Sequence, residues 1–261
     1  MDLKTAQTLA HLTGAFYQSQ AASFSATRKS PWPGWRRSAR FLAPFAAGGA
    51  QPVRVLDAGC GNLRFERYLS RAFPQTAWEC HAVDSCRALL PDESPASNVR
   101  ICFQELDIVS RLLSGGGQAL ARALRAPACD AAVCFGVMHH VPSFEARVEL
   151  LRALVAGVRD GGMVCVSFWR FMENDGMARR VRALQPQALA DAGLSAEDLE
   201  RNDYLLGWDA QPGVYRYCHH FDDGEVDRLI AALGREVCVA DRFVSDGRGG
   251  NLNAYVVFSA R

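Results

Sequence analysis

The stretch Val53-Arg-Val-Leu-Asp-Ala-Gly-Cys-Gly-Asn-Leu63 constrains the fold more than any other part of the chain. It begins with a short, mostly apolar run, which ends at Asp57 and is followed by Gly59 and Gly61. A helical pattern starts directly afterwards, because large side chains recur at the spacing of one helix face. The order strand, tight turn, helix predicts the first crossover of an α/β sheet. Such sheets bind ligands at the carboxyl ends of their strands, so Asp57 and the two glycines are predicted to border a ligand site.

Length and composition fit one large α/β domain with appendages. The 261 residues are 49% hydrophobic and 22% charged, which is ordinary for a globular protein. No apolar run approaches the length needed to cross a membrane, so a soluble protein is expected. The nine cysteines are scattered and contain no Cys-x-x-Cys pair. This pattern predicts a reduced, cytoplasmic setting rather than a disulfide framework or a metal site.

The formal net charge of +1 conceals a basic amino-terminal segment. Residues 1–56 contain seven Lys or Arg and one acid, a net charge of +6, which leaves −5 for the remainder. A local basic segment predicts an anionic partner. An organellar transit peptide is the alternative, since the segment is poor in acids and contains Ser and Arg.

Within this segment, a helix predicted over residues 1–26 is followed by Thr27–Arg40, which has five basic residues, two tryptophans and no acid. Two prolines and a glycine predict a turn or extended loop over Pro31–Gly34. The composition suits phosphate contact and base stacking. The alternative is a solvated charged loop whose tryptophans pack on the core.

The rest of the chain alternates between strand and helix patterns. Strands are predicted over 77–83, 99–106, 129–138 and 163–168, with helices over 65–73, 118–125, 144–158 and 222–233. This order predicts a doubly wound parallel sheet. Residues 169–220 are predicted to be an insertion that covers the strand ends, with Tyr215–Phe221 returning to the sheet. A hairpin of 238–244 and 254–259 closes it.

Acidic and histidine side chains follow three of these strands. Asp84 ends the second strand about twenty residues past the glycines, where a carboxylate can accept hydrogen bonds from both ribose hydroxyls. Asp107 follows the third strand and could reach an adenine. His139 and His140 follow the fourth strand, at the same edge of the sheet. Together they predict a nucleoside-type ligand.

The set Asp57-x-Gly-x-Gly, Asp84 and Asp130…His139-His140 resembles the core of class I S-adenosylmethionine (SAM) methyltransferases over roughly residues 50–170. The resemblance implies a Rossmann-like fold: a mostly parallel twisted sheet with helices on both faces and a closing antiparallel hairpin. It implies SAM as the cofactor and a methyltransferase domain over 51–261, with residues 1–50 as an extension forming part of the substrate site. Leu63 departs from the motif, which often has a third glycine there.

A narrower resemblance extends over most of the chain. The segments that carry it are Phe16-Tyr17…Phe24-Ser-x-Thr-Arg28-x-x-Pro31-Trp32-Pro33, Val137-Met-His-His140, Trp208, Arg216-Tyr-x-His219-x-Phe221 and Gly250-Asn251…Tyr255-Val256. They resemble the tRNA wobble-uridine carboxymethyl methyltransferases, with departures at Cys218-His219-His220 and Asn253-Ala254. The implied reaction is methyl transfer from SAM to the carboxylate of a 5-carboxymethyl-type wobble uridine in the anticodon loop of tRNA. Two alternatives stay open: a small-molecule carboxyl or O-methyltransferase, and a catalytically silent scaffold that binds RNA or protein.

The resemblance also implies roles for individual residues. Those implied to bind the cofactor are Asp57, Gly59, Cys60 and Gly61 at its methionine part, Asp84 at the ribose, Asp107 at the adenine, and Phe135. His139 would border the sulfonium, while Arg28, Arg216 and His219 would hold the substrate carboxylate or flanking phosphates. Trp32 or Trp208 would stack on the uracil. Structural roles are expected for His140 and His220, and no metal is expected.

One partner besides tRNA is implied. Val99–Phe103 is predicted to be the edge strand of the sheet, with apolar side chains at 101 and 103. Exposed apolar edge strands pair readily with other chains. Since the resembled family includes members that work with a small zinc-binding activator, this strand is its expected docking site.

Overall fold

A computed structural model describes residues 1–48, 51–92, 96–209 and 211–261. Its helices are α1 (Leu3–Thr27), α2 (Pro33–Ser38), α3 (Ala43–Ala46), α4 (Arg64–Ala72), α5 (Ile108–Ala123), α6 (Phe144–Ala156), α7 (Asp175–Asp191) and α8 (Asp223–Leu233). Its strands are β1 (Val53–Ala58), β2 (Trp78–Asp84), β3 (Val99–Glu105), β4 (Cys129–Cys134), β5 (Val158–Trp169), β6 (Asp203–Gly207), β7 (Tyr215–His219), β8 (Val237–Ser245) and β9 (Asn253–Ala260).

Seven of these strands form one sheet in the order β3-β2-β1-β4-β5-β9-β8. Strands β1 to β5 pair in parallel, and β9 runs antiparallel to both of its neighbours. Each face of the sheet is covered by a large apolar cluster, as expected for parallel strands buried on both sides. The predicted doubly wound sheet, its closing hairpin and the edge position of β3 are confirmed.

The amino-terminal prediction needs one correction. Helix α1 matches its predicted range, but Pro31–Gly34 is not wholly a turn or extended loop, because α2 begins at Pro33. Proline is well suited to the first position of a helix, where its missing N–H would have no partner in any case. Gly34 packs so closely against Tyr255 that a Cβ atom there would lie 2.4 Å from its ring. The short helix therefore anchors the tryptophan segment to the sheet.

The predicted helix over 118–125 was too short. Helix α5 begins at Ile108, capped by Asp107, and passes through the glycine-rich stretch with a kink at Gly116, where φ is +67°. The predicted break at the three glycines is confirmed, because the backbone of Gly116 is non-helical and separates two helical parts. The part that begins at Ile108 was not predicted. Similarly, β4 ends at Cys134 rather than at residue 138, and β5 begins at Val158 rather than at residue 163.

The prediction that Tyr215–Phe221 returns to the main sheet was wrong. Among the described strands, β7 pairs with β6 alone, in a separate antiparallel hairpin. This β6–β7 hairpin packs between α1 and α7 on one side of the strand ends, with Tyr217 fully buried. Local patterning identifies a strand but not its partner, which depends on long-range packing.

Among the helices within the described residues, none is both long enough and apolar enough to span a membrane.

Candidate active site

A cavity of about 730 Å³ opens at the carboxyl ends of the parallel strands. It brings together nearly all of the residues implied by the sequence. Those that line it are Asp57, Gly59, Cys60, Gly61, Asp84, Asp107 and Phe135 on the cofactor side, and Arg28, Trp32, His139 and Arg216 on the other. His219 and Trp208 do not line it. Its volume is in the range typical of small-molecule sites.

The loop after β1 requires its glycines. Gly59 has a φ of +87°, and a Cβ atom there would lie 2.0 Å from the Val137 side chain. Gly61 has a φ of +53° and no atom near its missing Cβ, so its backbone faces open space. The loop can therefore approach a bound ligand through backbone atoms alone.

Leu63 occupies a position that favours glycine, with a φ of 57°. Its side chain is nevertheless buried, in a small apolar cluster with Cys60 and Ala82. Left-handed backbone costs a non-glycine residue about 1–2 kcal/mol, which the burial of a leucine side chain, worth about 1.5–3 kcal/mol, can offset. The departure from the glycine motif is thus accommodated without closing the cavity.

Asp84 links the second strand to the glycine loop. Its carboxylate accepts backbone N–H groups from Gly61 at 2.9 Å and from Cys86 at 2.9 Å. Burial raises the pKa of Asp84, and these donors oppose the shift. Each oxygen retains a lone pair for a further donor. A carboxylate fixed in this way fits the vicinal hydroxyls of a ribose.

Asp107 lies at the next strand end, where it caps α5. Its two oxygens accept the backbone N–H and the hydroxyl of Ser110, at 2.9 and 2.7 Å. The side chain therefore has a structural role, while it also borders the cavity where an adenine would lie. Phe135 closes the floor, packed between Phe65 and Tyr255. The residues present thus fit a nucleoside cofactor.

Two carboxyl groups are buried together beneath the glycine loop. Asp57 ends β1, and Glu66, in the first turn of α4, is fully buried with neither of its oxygens hydrogen-bonded within the described residues. Burial, and then the charge of Glu66, raises the pKa of Asp57 well above its usual range, and burial raises the pKa of Glu66 to about 7. Because neighbouring buried carboxylates cannot both ionise cheaply, this Asp57–Glu66 pair holds a proton near neutral pH.

The two histidines after β4 differ in their bonding. His140 is bonded through both ring nitrogens, to the carbonyl oxygen of Tyr217 at 2.7 Å and the hydroxyl of Tyr17 at 2.8 Å. His139 borders the cavity and its buried Nδ1 has no partner within the described residues. Burial, followed by the charge of His140, lowers the pKa of His139 well below its usual range, so the ring is neutral. His140 is structural, as predicted, and so is His220, whose Nδ1 accepts the N–H of Met172 at 3.3 Å.

Arg216 is the most unusual group in the cavity wall. It is only 5% exposed, and its Nε has no hydrogen-bond partner within the described residues. No carboxylate among those residues forms an ion pair with it. Four aromatic rings surround its guanidinium carbon at 4.8–5.9 Å, from Phe16, Phe24, Trp169 and Trp208. Aromatic faces attract a cation but do not neutralise it.

Arg28 places a second positive charge beside the first. It follows α1 and lies over the Phe24 ring at 4.6 Å, without an acidic partner among the described residues. Burial, and then the charge of Arg216, lowers the pKa of Arg28. The two guanidinium groups repel each other in a partly desolvated site, which an anionic ligand would relieve.

His219 lies apart from this site. Its two ring nitrogens lie 2.6 Å from an Asp203 oxygen and 2.7 Å from a Glu225 oxygen, on the opposite face of the β6–β7 hairpin. Successive residues of a strand point to opposite faces, so Arg216 and His219, three residues apart, cannot share one. The prediction that His219 holds the substrate carboxylate is corrected to a structural role. Trp208 is also displaced, since it packs around Arg216 and donates its Nε1–H to Ser23 at 2.9 Å.

One cluster in the described residues has the composition of a metal site. Potential ligand atoms of His139, His140 and Cys218 lie within 4.8 Å of one another. However, Nδ1 of His140 must donate its proton to the Tyr217 carbonyl, and Nε2 accepts from Tyr17. Metal binding would break one of these bonds.

Three residues at the site were missed from the sequence. Trp169 and Arg64 line the cavity, and Glu66 lies beneath it. Trp169 is the last residue of β5, so it lies at the same edge of the sheet as the other site residues, and this position was a usable signal. No sequence signal pointed to Glu66, because an acid near the start of a helix is usually exposed.

Comparisons with known proteins identify the family and the fold. A family model described as a methyltransferase domain matches residues 25–236. The tRNA (carboxymethyluridine(34)-5-O)-methyltransferase ALKBH8 of Mus musculus is 31% identical over 157 residues, covering 59% of this chain and 19% of the relative. The tRNA (carboxymethyluridine(34)-5-O)-methyltransferase of Arabidopsis thaliana is 28% identical over 163 residues, covering 61% of this chain and 33% of the relative. The chain thus spans a third or less of the length of these relatives.

Solved structures share the fold. A DhpI complex with S-adenosylhomocysteine has a TM-score of 0.55 at 16% identity, covering 97% of this chain and 98% of that one. The 1,6-didemethyltoxoflavin-N1-methyltransferase of Burkholderia thailandensis has a TM-score of 0.52 at 19% identity, covering 95% and 88%. The family match covers most of the chain and the fold is that of SAM-dependent methyltransferases, so the chain belongs to the methyltransferase domain family.

Proposed function

We propose that this methyltransferase esterifies the carboxylate of a 5-carboxymethyl-type wobble uridine in tRNA. The observation that carries the proposal is Arg216, a buried guanidinium in the cavity wall without an acidic partner among the described residues. Its neighbour Arg28 adds a second charge. A substrate carboxylate supplies the missing negative charge, and guanidinium groups bind carboxylates by charge-assisted hydrogen bonds. The relatives named for carboxymethyluridine support this choice of carboxylate.

The reaction requires the protein mainly to position the reacting groups. A carboxylate is ionised at neutral pH, so no general base is needed. When bound, SAM supplies a methyl group on a cationic sulfur; the carboxylate oxygen forms a bond to that carbon as the carbon–sulfur bond breaks and leaves its electron pair on sulfur. Asp57, the glycine loop and Asp84 would hold the cofactor, while Arg28 and Arg216 orient the carboxylate. Correct alignment of reacting groups can contribute about 7–11 kcal/mol.

His139 fits a positioning role rather than proton transfer. Its lowered pKa keeps the ring neutral beside a cationic sulfur, where a charged imidazolium would be repelled. Trp32, half-buried at the rim next to Gly136, lines the cavity and would stack on a base there. These roles, like those of Cys60, Asp107 and Phe135 at the cofactor, are part of the proposal.

Mass spectrometry of wobble nucleosides from cells with and without the gene tests the reaction. We expect the free carboxymethyl acid to accumulate at the expense of the methyl ester when the gene is absent. The in vitro counterpart uses tRNA carrying the acid, with tRNA carrying the neutral carbamoylmethyl group as the matched control. Unchanged ester levels in the cell would contradict the proposal. Methylation of free small carboxylates instead would support a small-molecule enzyme, and failure to bind SAM in calorimetry would support a silent scaffold.

A small zinc-binding activator docking on β3 remains part of the proposal. Strand β3 lies at the sheet edge, with β2 as its pairing partner. Its Phe103 side chain is partly covered by the guanidinium of Arg87 at 4.9 Å. Copurification of a small zinc protein that is lost in an Ile101→Lys variant would support docking there, and full activity of the isolated chain would contradict a required partner.

A further inference from the structure

The outer face of α4 carries three arginines, Arg64, Arg67 and Arg71, at positions i, i+3 and i+7. This spacing places them in one row along the helix. Arg36, exposed on α2, lies close enough to Tyr68 for its charge to lower the pKa of that hydroxyl, against the larger effect of burial. We call these four residues the arginine stripe. It begins at the cavity, which Arg64 lines.

The stripe is not neutralised by the protein. Among the described residues, no ion pair within 4.0 Å involves any of its four arginines. Glu66, the acid in α4, points inward and is fully buried. Burial, and then the charges of Arg28 and Arg67, lowers the pKa of Arg64 to about 10. The guanidinium groups are therefore close enough to repel one another, an arrangement that costs a helix stability unless an anion lies across it.

Two further contacts orient the start of the stripe. The guanidinium of Arg64 lies over the rings of Trp32 at 5.5 Å and Trp35 at 5.3 Å, and donates to the carbonyl oxygen of Ser30 at 2.9 Å. Arg67 donates to the carbonyl oxygen of Asn62 at 2.6 Å. These bonds fix part of each side chain and leave other N–H donors for phosphate oxygens. A stacking ring beside a row of fixed cations is the usual composition of a single-strand binding surface.

We propose that the arginine stripe binds consecutive phosphates of the RNA strand next to the nucleotide in the cavity, an inference that rests on the proposed function. Arg64 and Arg71 are separated by about 10 Å along the helix axis. At about 3.4 Å along the axis per stacked nucleotide, that length corresponds to about three nucleotide steps. The structure also shows which basic residues are available to bind phosphates. Arg37, an obvious candidate in the sequence, is paired bidentately with Asp241 at 2.6 Å and is not available in the same way.

The test measures binding of unmodified tRNA by the full chain, using fluorescence anisotropy over a range of KCl concentrations. The variant Arg36→Gln/Arg71→Gln removes two exposed charges of the stripe that do not line the cavity. We expect its affinity to fall about tenfold or more and the slope of log K against log salt to decrease by about two. The matched control Arg122→Gln/Arg125→Gln removes two exposed charges at the far end of α5 and is expected to bind like the wild type. SAM affinity confirms that both variants are folded.

Other outcomes would contradict the proposal that the arginine stripe binds RNA. Equal tRNA affinity of the two double variants would do so, as would a larger loss when Arg179, Arg180 and Arg182 of α7 are neutralised instead. Binding to phosphatidylserine vesicles with no binding to tRNA would assign the stripe to a membrane surface. The cellular nucleoside assay separates the two proposals. If the stripe variant binds tRNA more weakly but the wobble ester is unchanged in cells without the gene, the arginine stripe is supported and the wobble-uridine substrate is contradicted. If the ester is lost in those cells but the stripe variant binds tRNA like the wild type, the substrate is supported and the stripe is contradicted.

Discussion

Two buried arginines, on opposite faces of the β6–β7 hairpin, show how differently a protein can treat the same charge. Arg147 is 1% exposed and contacts Glu225 at 2.9 Å, Asp203 at 3.4 Å and the Tyr217 hydroxyl at 2.7 Å. Arg216 is nearly as buried but contacts aromatic rings and has no acidic partner within the described residues. One charge is satisfied by the protein and the other is left for a ligand.

The two environments follow from strand geometry. Arg216 and Tyr217 are adjacent on β7, so their side chains point to opposite faces. One face turns toward α6 and α8, where the carboxylates of Asp203 and Glu225 enclose Arg147 and His219. Both ring nitrogens of His219 lie within 2.7 Å of carboxylate oxygens, so the imidazole is held on this face. The other face turns toward the cavity, where no ion pair involves Arg216 among the described residues.

The largest effect is expected for Arg147→Met. The change leaves Asp203 and Glu225 buried without their guanidinium, so the free energy of unfolding should fall by about 3–5 kcal/mol. Urea denaturation at pH 7 measures it. The control is Arg152→Met on the same helix, where the exposed pair with Glu149 should contribute less than about 1 kcal/mol. Equal losses of unfolding free energy in the two variants would show that the buried ion pairs of Arg147 contribute no more than the exposed pair of Arg152.

Arg216→Met should lower activity without lowering stability, in contrast to Arg147→Met. Because no acid loses its partner, the free energy of unfolding should be unchanged or increased. The kcat/KM for tRNA carrying the carboxymethyl group should fall about 10- to 150-fold, as expected for a lost charge-assisted contact of about 1.5–3 kcal/mol. SAM affinity should not change. Arg216→Lys, which keeps the charge, should recover part of the activity. A stability loss as large as that of Arg147→Met would mean that Arg216 is structural.

Glu66→Gln extends the comparison to a buried acid. The pKa of Glu66 is raised from 4.5 to about 7 by burial. In that pH window the folded state binds more protons than the unfolded state, so wild-type stability falls as pH rises from about 4.5 to about 7. The amide cannot ionise, so the variant should match the wild type at pH 4.5 and exceed it by up to about 3 kcal/mol at pH 8.

Thermal or urea unfolding at the two pH values measures the effect of Glu66→Gln. The exposed Glu145→Gln on α6 serves as the control and should show no such dependence. A variant that is less stable than the wild type at pH 8 would show that Glu66 is stabilised as an anion.

The sequence alone determined the sheet, the cofactor and most of the cofactor side of the cavity. Strand, glycine turn and helix are local patterns, and parallel strands bring Asp57, Asp84, Asp107 and His139 to one edge whatever else the chain does. The family resemblance added Arg28 and Arg216. These residues line one cavity because the predictions depend on residues near in sequence or on the fixed geometry of a doubly wound sheet, while their roles remain proposals.

Only the tertiary structure decided which charged groups face the cavity. The sequence places Arg216 and His219 together, yet the hairpin sends them to opposite faces, and the partner strand of β7 depends on packing against α1 and α7. Glu66 and the arginine stripe were equally hidden, because whether a helix residue is buried or exposed depends on how that helix lies on the sheet. The loop from Val53 to Leu63 depends on both sequence and tertiary structure. Its glycines predicted the site, whereas the burial that stabilises a left-handed Leu63 is set by residues far along the chain.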